Sequence, residues 1–217
     1  MPKPQLNVTT GRVDGKWYIF FSTIIVNVGR SDFVLRAIRD GDTWSVQQGI
    51  PYSQSGARIV PTDATLVWGG DGHNHWHVAR VATVRLVALD DIGRPLKSPS
   101  RTDSKAGFCF YDHTHELARG PAEPVFSAHS CGHKDDTIIG VGLSPGWNDT
   151  YRQSLPGQSI DVSGLPDGKY RLWTDIDEPG WFREARTDNN RTWIDLDLEM
   201  TPQGLSANTI GRGPSPP

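Results

Sequence analysis

Tyr170-Arg171-Leu172-Trp173-Thr174-Asp175-Ile176-Asp177 alternates apolar and polar side chains, the period of a strand with one face in a core and the other in water. Leu165-Pro166-Asp167-Gly168-Lys169, just before it, is a strong turn. Arg191-Thr192-Trp193-Ile194-Asp195-Leu196-Asp197-Leu198 repeats the alternation. Outward from this pair, Trp17 to Val28 is rich in β-branched and aromatic residues and reads as one strand closed by Gly29. Asp14-Gly15 is a hairpin signal that would fold it onto Leu6-Asn7-Val8-Thr9. Phe33–Ile38, Thr65–Trp68, Ala106–Tyr111 and Ile160–Val162 are further short apolar runs. Val78–Leu89 is apolar on both faces, so its pattern fits a helix as well as a strand. Its β-branched content favours the strand. Residues 43–60 read as polar and turn residues with scattered apolar ones, residues 91–104 as a loop, and 112–135 as irregular. Short strands, dense turns and no capped helix predict an all-β fold, a β-sandwich with long irregular loops. One domain is expected over residues 3–200, with a flexible C-terminal tail over 201–217.

The chain has 217 residues, 36% hydrophobic and 22% charged, which suits one well-cored domain and excludes a disordered chain. Gly 23 and Pro 16 are scattered among the short elements as turn residues. The net charge of -3, without a run of Lys or Arg, speaks against a nucleic-acid partner. No apolar run approaches the ~18 residues of a membrane-spanning helix. Met1-Pro2-Lys3-Pro4 lacks the apolar core of a secretory leader. That leaves a cytosolic protein or one whose leader was removed. Cys109 and Cys131 stand 22 positions apart without CxxC spacing. Taken alone they are two buried thiols or one disulfide, the latter worth roughly 3 kcal/mol.

His73-Asn74-His75-Trp76-His77 is the sharpest feature. Three imidazoles at i, i+2 and i+4 share one face of a strand. In a regular strand the outer two would stand roughly 13 Å apart. A metal with bonds of about 2.0–2.1 Å therefore needs the strand to bend. Gly69, Gly70 and Gly72 sit where a bend can start. Three neutral imidazoles suit copper, zinc, iron or nickel and leave room for water or substrate. His113 and His115 form a second His-x-His pair, and His129 and His133 flank Cys131. These four read as polar surface residues. Glu184 with Asp188-Asn189-Asn190 is oxygen-rich but lacks the EF-hand spacing, so a polar turn is the default.

Together these segments resemble the catalytic domain of the lysyl oxidase family, over about residues 66–198. His73-x-His75-x-His77 is similar to the family's copper-binding His-x-His-x-His. Lys105-Ala106-Gly107-Phe108-Cys109-Phe110, with Asp112, resembles the Lys-Ala-x-Phe-Cys-Leu-x-Asp stretch whose lysine enters the cofactor. Gly142-Leu143-Ser144-Pro145-Gly146-Trp147-Asn148-Asp149-Thr150-Tyr151 matches the Gly-Leu-Ser-Pro-Gly-x-x-Asp-Thr-Tyr segment that carries the cofactor's tyrosine. The resemblance implies copper on His73, His75 and His77, and a lysine tyrosylquinone made by joining the Lys105 amine to an oxidised Tyr151. Asp149 is the nearby carboxylate to test as proton acceptor. It further implies oxidative deamination of primary amines, lysine side chains or small amines, to aldehydes with dioxygen, releasing peroxide and ammonia. An uncrosslinked precursor holding zinc would have this same sequence.

Cys109 lies in the matching Phe-Cys element and Cys131 where another family cysteine is expected, so the resemblance favours their disulfide. Trp147 stands where the animal enzymes carry a cysteine. Arg186 replaces an acidic residue in the calcium-like Glu-x-Asp-x-x-Asn-Asn pattern, of which Glu184, Asn189 and Asn190 remain. With few disulfides and a short chain, a bacterial-type homologue is the expected version. A secreted protein, its leader absent from this sequence, is the expectation. The rival readings are a three-His zinc or iron enzyme (a hydrolase or cupin-like oxygenase) and a non-catalytic extracellular β-sandwich binding module. Metal analysis with an anaerobic assay separates the first. Binding that persists after Lys105→Ala and Tyr151→Phe separates the second.

Overall fold

The computed structural model describes residues 2–3, 8–53, 56–69, 74–104 and 107–214. The strands begin with β1 (Thr9–Val13), β2 (Lys16–Phe20), β3 (Thr23–Val26), β4 (Phe33–Asp40), β5 (Thr43–Ser53) and β6 (Gly56–Thr62). Then follow β7 (Leu66–Trp68), β8 (Trp76–Ala79), β9 (Ala82–Leu89), β10 (Pro95–Ser104), β11 (Gly107–Phe108) and β12 (Thr114–His115). After a 3-10 turn at Ala128–Cys131 come β13 (Ile138–Leu143), β14 (Trp147–Tyr151), β15 (Ser159–Asp161), β16 (Gly168–Ile176), β17 (Arg191–Thr201) and β18 (Gly204–Gly213). All pairings between these strands are antiparallel, and the fold is the expected all-β one, consistent with a sandwich.

Two cores divide the molecule. The five-stranded sheet β10-β9-β16-β17-β18 sets Leu172 of β16 between Leu86 of β9 and Ile194 of β17. Its inner face, with Val84, Leu86, Tyr170, Leu172, Ile194, Leu196 and Leu198, packs on Ile19 and Phe21 and on Ile160 and Val162. Those four belong to or adjoin the small sheet β1-β2-β15. Val78–Leu89 is β8 and β9 rather than a helix, turned at Arg80, whose φ is 55°. The even-numbered residues of β9 are its buried face. On the outer face, Arg171 lies 4.0 Å from the Trp193 ring and grips Asp195 with two bonds of 2.6 and 2.8 Å.

The second core is shared by the sheet β13-β4-β5-β6 and two three-stranded sheets, β11-β8-β7 and β12-β14-β3. Trp76 is wedged between Trp44 (4.9 Å) and Trp68 (5.3 Å). A disulfide joins Cys109 to Cys131, with Cα atoms 5.7 Å apart.

Several expectations are corrected. The strand read as 17–28 breaks at Phe21-Ser22, where the Phe21 amide turns to the Gln158 carbonyl and Ser22 Oγ accepts from the Gln153 amide. Its halves, β2 and β3, enter different sheets. Residues 43–60, read without strands, form most of the β5–β6 hairpin, and the loop read at 91–104 contains β10. The tail read from residue 201 is β18 as far as Gly213, bonded to β17 from Thr201↔Gly204 to Trp193↔Gly213. In the last three cases a neighbouring strand supplies the backbone partners, so pairing does not need an alternating apolar pattern. Leu6 and Asn7 of the expected hairpin lie outside the described residues.

Candidate active site

The hairpin of β7 and β8 carries the histidine motif. Val67 pairs with His77 and Trp68 with Trp76, and the Gly69 amide donates to the His75 carbonyl at 3.0 Å. His77 is therefore on β8, whereas His75 is in a bend just before it. This bend is the departure from a regular strand that ligand spacing requires. The two rings stand edge to face at 4.7 Å, closer than the ~6.7 Å repeat of same-face positions. His77 is 3% exposed, and the Nε2 atoms of both rings are shut off from solvent. His73 lies outside the described residues. Among the described residues, no group of three His, Cys, Asp or Glu could hold a metal.

Tyr151 ends β14, a strand held between β3 and β12. It is buried, and its ring lies 5.9 Å from that of His77 and 4.4 Å from that of Phe108. The Cys109 amide donates to its phenol oxygen at 2.9 Å. Phe108 is on β11, which pairs with β8 through Phe108↔Val78 and Gly107↔Ala79. The chain that follows Lys105 thus runs along the His77 strand and ends against Tyr151. Lys105 itself lies outside the described residues. Asp149 is on β14 two positions before Tyr151, fully buried, and on the same face by the strand period.

Tyr111 and His113 were not singled out as site residues. The Tyr111 phenol is pushed up, first by burial and then by the charge of Asp149. The His113 pKa is lowered by burial and then by Arg152, which follows Tyr151. His113 is half-buried beside the site, with Nδ1 2.8 Å from Thr114 Oγ1. No spacing rule marks Tyr111, and the His113-x-His115 spacing by itself does not point to this site, because both residues arrive through the irregular segment after Cys109. His115 stacks on Trp147 at 4.9 Å, and the Trp147 indole donates to the Pro121 carbonyl at 2.9 Å. His129 and His133 are exposed, as read.

The calcium-like residues bind one another. Arg186 pairs doubly with Asp188 at 3.0 and 3.0 Å, and Asn190 Nδ2 donates to Glu184 Oε1 at 2.5 Å. With a guanidinium where the pattern has a carboxylate, this loop does not fit the calcium pattern. It borders a cavity of about 570 Å³ walled by Ile25, Phe33, Phe110 and Phe182. Phe110 stacks on Phe108 at 6.1 Å, and Phe108 also touches the Tyr151 ring.

The sequence model of the family described as lysyl oxidase matches residues 50–206, most of the chain. This chain belongs to the lysyl oxidase family. Membership implies an oxidoreductase acting on amines. No curated protein matches the chain. The match covers His75, His77, Asp149 and Tyr151, and also His73 and Lys105. Copper suits the donors at hand, since imidazole is a ligand it takes readily. His75 and His77, with buried Nε2 atoms and rings in contact, would hold it together with His73.

Proposed function

We propose that this lysyl oxidase family protein oxidises primary amines, lysine side chains or small amines, with copper and a lysine tyrosylquinone formed from Lys105 and Tyr151. For an amine RCH2NH2, dioxygen and water are consumed, and RCHO, NH3 and H2O2 are released. When formed, the copper and quinone pair would supply an electron sink for the amine's two electrons, dioxygen being the final acceptor. Asp149 is the proton acceptor for the carbon next to the amine, a role its burial beside Tyr151 supports. His73, His75 and His77 hold the metal. The Cys109 amide fixes the phenol oxygen of Tyr151 and so the direction of its ring.

The observation that carries the reading is the contact of His77 and Tyr151 in the interior. These residues come from two different sheets and stand at 5.9 Å beside the chain that follows Lys105. A lysine and a tyrosine so distant in sequence can react only if the fold supplies the effective concentration. The Cys109–Cys131 disulfide supports a secreted protein, since such bonds persist in oxidising compartments. We take the single domain expected over residues 3–200, extended by β18 as far as Gly213, as the catalytic one.

Copper loading in air, followed by phenylhydrazine, tests the reading. A coloured adduct and a peptide pair joined through Lys105 and Tyr151 are expected, and zinc-loaded protein should give neither. Freely separating Lys105 and Tyr151 peptides after copper and oxygen would overturn the cofactor assignment.

A further inference from the structure

Asp112 is a buried carboxylate, 6% exposed, that no step above uses. Taking a carboxylate out of water is costly unless donors replace the lost hydration. Three backbone amides do so here. Asp112 Oδ1 accepts from Ser144 at 2.7 Å, and Oδ2 accepts from Val125 at 2.8 Å and Phe126 at 3.2 Å. Among the described residues no Lys, Arg or His forms an ion pair with it. Its charge is held by amide dipoles from two separate stretches of chain.

Where these amides sit gives the arrangement its consequence. Ser144 opens the turn into β14, and its carbonyl accepts from the Trp147 amide at 3.1 Å. Four residues after that turn closes comes Tyr151. Asp112 ends the run that begins two residues after Lys105. That run is bonded at every stage, to β8 through Gly107 and Phe108, to Tyr151 through the Cys109 amide, and to Gly142 through the Phe110 carbonyl. Next to Asp112, the His113 amide donates to the Asn148 carbonyl at 2.8 Å. Among these bonds Asp112 contributes the side chain that ties the two stretches together, where the others are backbone contacts or belong to Tyr151 itself.

We propose that Asp112 is a positioning residue: by accepting from the Ser144 amide it registers the strand leading to Tyr151 against the chain that follows Lys105, and the joining of Lys105 to Tyr151 depends on it. The inference rests on the cofactor reading above. Joining forms a bond between the lysine nitrogen and the tyrosine ring. Overall the pair loses four hydrogens and gains one oxygen, while two dioxygen molecules supply that oxygen and leave as one water and one hydrogen peroxide. A reaction between two side chains distant in sequence is sensitive to displacements of about 1 Å, which cost up to roughly a hundredfold in rate. An amide at position 112 keeps the shape but turns an NH2 toward one of the backbone donors, so the register loosens.

The test uses the full chain, loaded with copper in air as wild type, Asp112→Asn and Asp112→Glu. Joined peptide is followed by mass spectrometry, copper content by metal analysis, and the disulfide by mass under non-reducing conditions. Asp112→Asn is expected to keep the disulfide and bind copper at wild-type stoichiometry, yet to join Lys105 to Tyr151 at least about tenfold more slowly per copper-loaded chain. Asp112→Glu, which keeps the charge, should fall between. Joining at the wild-type rate in Asp112→Asn overturns the proposal, as does copper loss in step with the loss of joining. If Asp112→Asn does not fold, Asp112→Glu decides, since a wild-type rate despite the displaced acceptor also overturns it. Wild-type protein that never joins the two residues instead overturns the cofactor reading, and this inference with it.

Discussion

The two cores are built by different means. Around the five-stranded sheet, long strands present a dry apolar face, and Leu86, Leu172, Ile194 and Leu196 are essentially without exposure. Around the histidine hairpin the strands are short. β11 and β12 have two residues each, and β7 has three. Their interior mixes apolar rings with His77, Asp112, Asp149 and Tyr151. Apolar burial, at about 25 cal/mol per Å² and without direction, stabilises the first half. The second, apolar too at Leu35, Val46, Leu66 and Val78, adds bonds that have direction: a disulfide, amides aimed at Asp112 and Tyr151, and indoles bonded to the His133 and Pro121 carbonyls. Such bonds place atoms where hydrophobic burial cannot. The regular half is a base on which an irregular half can keep its chemistry dry.

Substitutions can break that division of labour, and the largest effect belongs to the site. Tyr151→Phe should abolish peroxide release from amines while costing only about 1 kcal/mol of stability through the lost bond to the Cys109 amide. A peroxide assay beside urea unfolding separates the two. Leu172→Ala should do the reverse, removing about 2–5 kcal/mol from the fully buried face. The folded fraction, once copper-loaded, should turn over amine at the wild-type rate per chain. A Leu172→Ala protein that stays stable but turns over slowly would mean that the two halves are not energetically distinct.

Paired Cys109→Ser and Cys131→Ser changes should cost about 3 kcal/mol. Limited proteolysis should then cut first between residues 107 and 151, leaving the five-stranded sheet intact. The smallest effect is electrostatic. The Asp161 carboxyl is held down to about 2, first by the Ser163 amide, then by the Ser163 hydroxyl, with Lys16 adding to it. A depressed carboxylate stabilises the fold above its unfolded pKa of 3.8 and loses that contribution as pH falls toward 2. Asp161 is only half-buried, with its Lys16 partner exposed, and the pair is screened, so less than about 1 kcal/mol is at stake. The stability gap between wild type and Asp161→Asn should therefore be small at neutral pH and close between pH 4 and 2 in urea titrations.

How far these features are legible in sequence follows the same division. Residues 170–177 and 191–198 announce β16 and β17 because a strand buried on one side must alternate. β10 and β18 carry no such pattern. Their backbones pair with β9 and β17, and their sequences need only permit it. The split at Ser22 depends on Gln153 and Gln158, far away in sequence. At the site, the histidine spacing points to a metal without any structure. Asp112 is quoted within a motif, but its three amide partners are not local in sequence, and nothing in its neighbourhood of residues shows what it binds. Tyr111 and His113 likewise owe their shifted pKa values first to burial and then to Asp149 and Arg152, neither of which the local sequence shows.

By itself the sequence determined the strand class, the imidazole cluster and the family, since each rests on residue type and spacing along the chain. Tertiary structure alone decided that the His77 and Tyr151 rings meet edge to face, that the Cys109 amide reaches the phenol, and that Asp112 ties the turn before β14 to the loop at Val125 and Phe126. Contacts of that kind join residues through space, and their closure is set by the packing of whole sheets rather than by local preference.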